Sequence, residues 1–304
     1  MRLHEDRMVS NGLATIVNNS NTVSGIELLT TPFMRNALIA GTLIAIVAGV
    51  VGYFVLLRDL PFATHAVAHI GFPGATLAVL VGVTPVAGLI VGCVGGGLAI
   101  GVMGHRARDR EVVTGTVLAF ASGLGILFNS LGTSQSGLLT NILFGNILAV
   151  SSTQVMVFAV IAVGVLGVLA ITGRQLMFAS IDPVVAQARG VRVRMLSGVF
   201  LVAMSLVIAT CVTVVGVLLI FALLVTPAAT AIKVTARPFR VVVVATGIAL
   251  VSVWGGLVVA TYQPWPPSFV ITTIACAFWV LVPLGMRLRR PGSGSPVVLQ
   301  TASS

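Results

Sequence analysis

Nine apolar runs, each about as long as a bilayer-crossing helix, are separated by breaks that alternate between basic and uncharged. They lie near residues 36–57, 62–82, 86–104, 112–130, 154–173, 196–214, 216–232, 241–261 and 268–286. About 20 apolar residues cross the hydrocarbon core of a membrane as a helix, because a helix satisfies its own backbone N–H and C=O groups where no water is present. The pattern predicts an all-α integral membrane protein of about nine transmembrane helices. A mean hydropathy of +1.11, with only 8% charged residues, leaves little chain for an appended soluble catalytic domain.

The basic breaks contain Arg58; Arg106, Arg108 and Arg110; Arg174, Arg189, Arg192 and Arg194; Lys233, Arg237 and Arg240; and Arg287, Arg289 and Arg290. Two runs separate each of these breaks from the next, and the intervening breaks 83–85, 131–153 and 262–267 carry no charge. Cytoplasmic loops are the arginine- and lysine-rich ones. The expected topology therefore puts the N-terminus outside and the C-terminus in the cytoplasm, with Arg2, Arg7 and Arg35 as exceptions. The net charge of +10 then reflects topology and contact with membrane lipid rather than a nucleic-acid partner. The expected organisation is a polar leader over 1–33 without a visible secretory signal, a transmembrane domain over 34–288, and a disordered cytoplasmic tail over 289–304.

Two stretches depart from plain spans. Residues 131–153 are moderately apolar but interrupted by Gly137, Gly145 and Asn146, which suits a short helix dipping part-way into the membrane. Irregular backbone at that depth is tolerated where it is buried in protein or lines a cavity, so Phe144, Gly145, Asn146 and Ile147 are candidate gate residues. The stretch 196–232 is too short for two long helices and a loop, so one of the pair is expected to be short or tilted. Gly88, Gly92 and Gly96 recur every fourth residue, a spacing that lets helices approach closely.

Chemistry within the spans is sparse. All seven carboxylates lie outside the runs or at their edges, and Cys93, Cys211 and Cys276 sit singly in apolar sequence with no CxxC spacing. The ionisable groups well inside a span are His65 and His69, four residues apart and so on one face of a helix. Two imidazoles so placed can share a metal ion, and neutral imidazole suits zinc, copper, iron and nickel. Further ligands must then come from other helices or a second subunit. Pro73 and Gly74 follow closely and free backbone carbonyls near the same depth.

No GxxxxGK[ST] phosphate cradle precedes Lys233, so ATP hydrolysis would have to come from a partner. Two basic-side loops could receive one: 178–194, a short helix opened by Asp182 and Pro183 and closed by Gly190, and 226–240.

Five segments in order, RNALIAGTLIAIVAGVVGYFVLLRDL (35–60), HAVAHIGFPGATLA (65–78), ILFGNILAVS (142–151), FASIDPVVAQARGV (178–191) and LLIFALLVTPAATAIKVTARPFR (218–240), make the chain resemble the permease subunits of bacterial zinc, manganese and iron ABC importers, the ABC-3 family. The resemblance implies a cobalamin-importer-like (type II) permease fold, a cytoplasmic ABC ATPase, an extracytoplasmic metal-binding protein and a second permease subunit in the bacterial cytoplasmic membrane. The chain would be a permease and not an enzyme, with no permanently bound cofactor. The resemblance makes 226–240 the main ATPase-docking loop, through Pro227, Ala228, Ala229, Thr230, Lys233 and Arg237, with Asp182 and Gly190 beside it. It also implies that His69 matches a family His and that His65 stands where the family has Asp. Exchanging a carboxylate for imidazole favours zinc over manganese or iron as cargo. The alternatives are a secondary metal or drug carrier driven through the same histidines, and a permease for a chelated-iron or cobalamin-like ligand.

Overall fold

The computed structural model describes residues 31–103, 107–132, 142–263 and 265–288. Proline opens most of the helices, with its fixed φ and missing N–H at a position that needs no donor. Thus α1 runs Pro32–Leu57, α2 Pro61–Leu80 and α3 Pro85–Met103, followed by α4 at Ala107–Leu131. A helical turn at 142–144 and a 3-10 turn at Ile147–Ala149 lead into α5, Ser152–Ile181. Ser151 and Gln154 cap that helix reciprocally. Then come α6 (Pro183–Ala188), α7 (Val193–Val215), α8 (Val217–Leu224), α9 (Thr226–Val234), α10 (Pro238–Tyr262) and α11 (Pro267–Leu288).

Eight of the described helices are long and apolar enough to cross a membrane. The remaining expected span, 216–232, is the exception, and it lies where the chain was too short. Gly216, at φ +81°, ends α7, and α8 and α9 follow as two short pieces. Pro227 at the start of α9 cannot donate to the Leu223 carbonyl four residues back, which accounts for the second break.

The core centres on α1 and α7. Helix α7 packs against α1, α2, α3, α5 and α8, and α1 is flanked by α10, α5 and α9. Gly52 of α1 lies so near the Leu224 carbonyl and Ala228 that a Cβ there would collide with backbone. The spaced glycines of α3 pack within the chain: Gly88 faces Gly74 and Ala78, Gly92 faces Ile70 and Gly71, and Gly96 faces Ile70, all on α2. Gly97 and Gly101 turn instead to Ser205 and Leu201 of α7. Without hydrophobic gain between helices in lipid, such close contact supplies the van der Waals energy of association.

Residues 1–30 and 289–304, on which the leader and tail expectations fall, lie outside the described residues, as do 133–141 of the expected re-entrant stretch.

Candidate functional site

Helix α2 is wrapped by α3 and α4, with α7 and α8 closing on it elsewhere. Phe72 meets Gly125 of α4, and Cys93 Sγ of α3 lies 3.4 Å from the Val67 carbonyl, as donor to it. The row left most open carries Phe62 and Leu77, exposed, and His65 and His69, part-buried, with Pro73 and Thr76 buried between. The two histidines are half-buried on that row with ring centres 4.7 Å apart and planes at 68°. A metal–nitrogen bond is about 2.0–2.1 Å, so rings at this separation can both reach one ion.

One ring nitrogen of the pair is unpartnered. His65 Nδ1 is buried without a hydrogen-bond partner. Pro73 has no N–H to give the His69 carbonyl four residues earlier, so the helix withholds a partner from a backbone oxygen at the same level. Against the other face of His65 stands Phe221 of α8, edge-on at 6.2 Å between ring centres. Among the described residues no third His, Cys, Asp or Glu completes a group that could hold a metal. The pair alone could supply two of the ligands that a borderline divalent ion takes.

The candidate gate residues sit beyond the break in α7. Gly145 (φ +71°) and Gly216 (φ +81°) cross with their backbones in contact, so that a Cβ on either would strike the other's main chain. Ser268 Oγ donates to the Phe144 carbonyl at 2.8 Å, Ile147 is buried near Gly41, and Asn36 Nδ2 donates to Ser152 Oγ at 3.1 Å. Asn146 lines a cavity of about 240 Å³ with Gln154 and Thr213, and the cavity reaches Ala75 of α2. The four residues thus touch different neighbours: Phe144 α11, Gly145 the end of α7, Ile147 α1, and Asn146 the cavity shared with α2, α3 and α7.

The expected docking residues divide. Asp182 accepts from Val184 N–H at 3.1 Å and Val185 N–H at 3.0 Å to start α6, and Gly190 (φ +81°) ends it. That small helix presents Val184, 75% exposed. In the second loop Pro227, Ala228 and Thr230 are buried within the chain. Ala228 fits against Gly52, and Thr230 Oγ1 donates to the Thr226 carbonyl at 2.8 Å. Ala229 is half-buried, Lys233 lies over the Trp279 ring at 4.4 Å, and Arg237 is exposed. Phe221 and the Gly145–Gly216 crossing went unpredicted. A glycine inside VVGVLL was a visible signal for the break; Phe221 had none.

The chain is similar to known proteins over most of its length. The sequence profile of the ABC 3 transport family matches residues 30–285. The manganese transport system membrane protein MntC of Listeria innocua is 32% identical over 226 residues, 74% of this chain and 80% of that protein. A probable iron transport system membrane protein of Haemophilus influenzae is 27% identical over 84% of this chain and 94% of its own length. Among solved structures, PsaBC from Streptococcus pneumoniae in complex with Fab superposes with a TM-score of 0.77 at 27% identity, covering 88% of this chain and 99% of that chain.

Proposed function

The chain belongs to the ABC 3 transport family, and on that premise we propose that it is the membrane path of an ATP-driven importer for a divalent first-row metal ion. The observation that carries the reading is the imidazole pair: two rings 4.7 Å apart on the open row of α2, one with a buried unpartnered nitrogen, in a bundle of apolar helices. The ion is held in passing by His65 and His69, and a second copy of the permease facing the open row supplies the missing ligands.

Energy enters from a separate ABC ATPase docked at the basic end, with Asp182, Gly190 and the exposed α6 between them as its primary seat and Lys233 and Arg237 beside it. An extracytoplasmic metal-binding protein docks at the uncharged end, next to Phe144, Gly145, Asn146 and Ile147. On this reading the basic breaks face the cytoplasm, and with α8 and α9 together making a ninth crossing the C-terminus lies inside and the N-terminus outside the cell membrane. Manganese is the first candidate cargo, because relatives named for manganese transport align over most of the chain. Zinc is the second reading, favoured by the nitrogen-only pair, although no relative above is named for it.

Metal accumulation in cells carrying the permease with its ATPase and binding protein tests both readings. His65→Ala and His69→Ala are expected to lower uptake of the transported ion by about tenfold or more, as losing support of a metal ligand already costs 10–100-fold, with the permease still present in the membrane. Uptake of manganese and zinc measured in parallel names the cargo. Unchanged uptake of every ion in both variants refutes the site, and uptake indifferent to ATP depletion refutes the importer.

A further inference from the structure

We propose that the outward groove between α3, α5 and α7 is a binding site for one anionic phospholipid, with its acyl chain along α7 and its phosphate at Arg194. The groove has a volume of about 530 Å³ and is lined almost wholly by apolar atoms. Its floor is one row of α7, Gly198, Val202 and Leu206, four residues apart, and its walls are Leu98 of α3 and Gly164 and Val168 of α5. A Cβ on Gly164 or Gly198 would meet nothing within 4 Å, so each glycine leaves room that neighbouring protein does not fill.

The floor row continues one turn further to Arg194, in the first turn of α7, where the side chain is exposed. On α5 the face carrying Gly164 and Val168 continues to Gln175, also exposed, about three turns beyond Gly164. The apolar trough thus opens at one end onto a cation and an amide donor. Arg174, Arg189 and Arg192 belong to the same end, and Asp182, the acid within that stretch of sequence, already accepts two N–H groups at the start of α6. Positive charge in excess at the mouth of an apolar groove matches a phosphate on an acyl chain and disfavours a zwitterionic headgroup. In a membrane the occupant is supplied by the solvent itself, and the inference needs only that the chain lies in one.

Native mass spectrometry of the full chain with its co-purifying subunits, delipidated and then titrated with phosphatidylglycerol or phosphatidylcholine of the same acyl chains, tests this. The unaltered chain is expected to retain one phosphatidylglycerol and to prefer it about fivefold, the equivalent of about 1 kcal/mol from one arginine at a lipid surface. Arg194→Gln should bring that preference to near parity. Gly198→Leu should lower retention of both lipids, whereas Gly247→Leu, at an exposed α10 position that also has open space around it, should leave both unchanged. A preference that survives Arg194→Gln, equal retention in the two leucine variants, or a Leu98→Cys cross-link showing a second copy seated over the groove overturns the proposal. Metal uptake is not the readout, so this result stands or falls apart from the transport reading.

Discussion

The two sides of α2 are built on opposite terms. Towards α3 the helix meets glycine with glycine, backbone against backbone, and Cys93 Sγ finds its acceptor in the Val67 carbonyl. On its open row stand two imidazoles, one with a buried nitrogen that no neighbour satisfies, and the buried Pro73 one turn on withholds an N–H from the His69 carbonyl. A polar group left unpaired in an apolar setting costs roughly 1–3 kcal/mol. The close side can supply that stability because van der Waals contact there is nearly continuous. The difference teaches that α2 is held closely from one side while a nitrogen on the other is left unsatisfied.

The severest way to break this comparison is to spoil the close side. At Gly88 a Cβ would meet the Gly74 carbonyl and Ala78, and backbone cannot move aside as a side chain can. Gly88→Leu is expected to destabilise the folded permease by about 3 kcal/mol, the upper end of ordinary overpacking, read as a lowered thermal midpoint in detergent. Gly95→Leu, on the same helix with nothing within 4 Å, is the matched control and should leave the midpoint in place. Equal midpoints for the two variants would mean that the close side holds nothing rigidly.

A smaller effect is expected where the open side is held from behind. Helix α8, which carries Phe221 against His65, begins at Gly216, whose backbone crosses that of Gly145. Its φ of +81° with ψ of 165° belongs almost exclusively to glycine, and a side chain there costs about 2 kcal/mol in strain. Gly216→Ala should push α8 and the 142–146 segment apart and let metal leak through reconstituted vesicles without ATP. Phe144→Ala with Ile147→Ala should leak in the same assay if those residues form the gate. Tight vesicles with all three substitutions would separate the crossing from gating and reduce it to a structural joint.

Much of this organisation was legible in the chain. Hydropathy places spans because lipid rewards the same apolar residues wherever they point, and proline marks the start of most helices. The same indifference hides what faces what: Pro227, Ala228 and Thr230 read as a loop exposed to a partner, yet the stretch is helical and fits against Gly52. The histidine pair was readable from its spacing, since four residues on a helix fix a shared face. Phe221 was not, because it lies 156 residues from His65 in sequence, and only the break at Gly216 turns α8 so that the two rings meet.

Phe221→Ala sharpens the comparison most finely, because it alters the open side while leaving the close side and both histidines in place. An edge-to-face aromatic contact is worth about 1 kcal/mol beyond its buried area, so removing the ring should free His65 to turn without unfolding α8. If Phe221 orients His65 towards its partner ring, uptake measured against external metal concentration should show a weaker half-saturation, by about fivefold, with the maximal rate nearly kept, and Phe221→Tyr should restore it. If the ring instead bars passage between turnovers, half-saturation should hold while vesicles leak metal without ATP, as expected for Gly216→Ala. A variant indistinguishable from the unaltered chain in both assays would leave the open row of α2 governed by His65 and His69 alone.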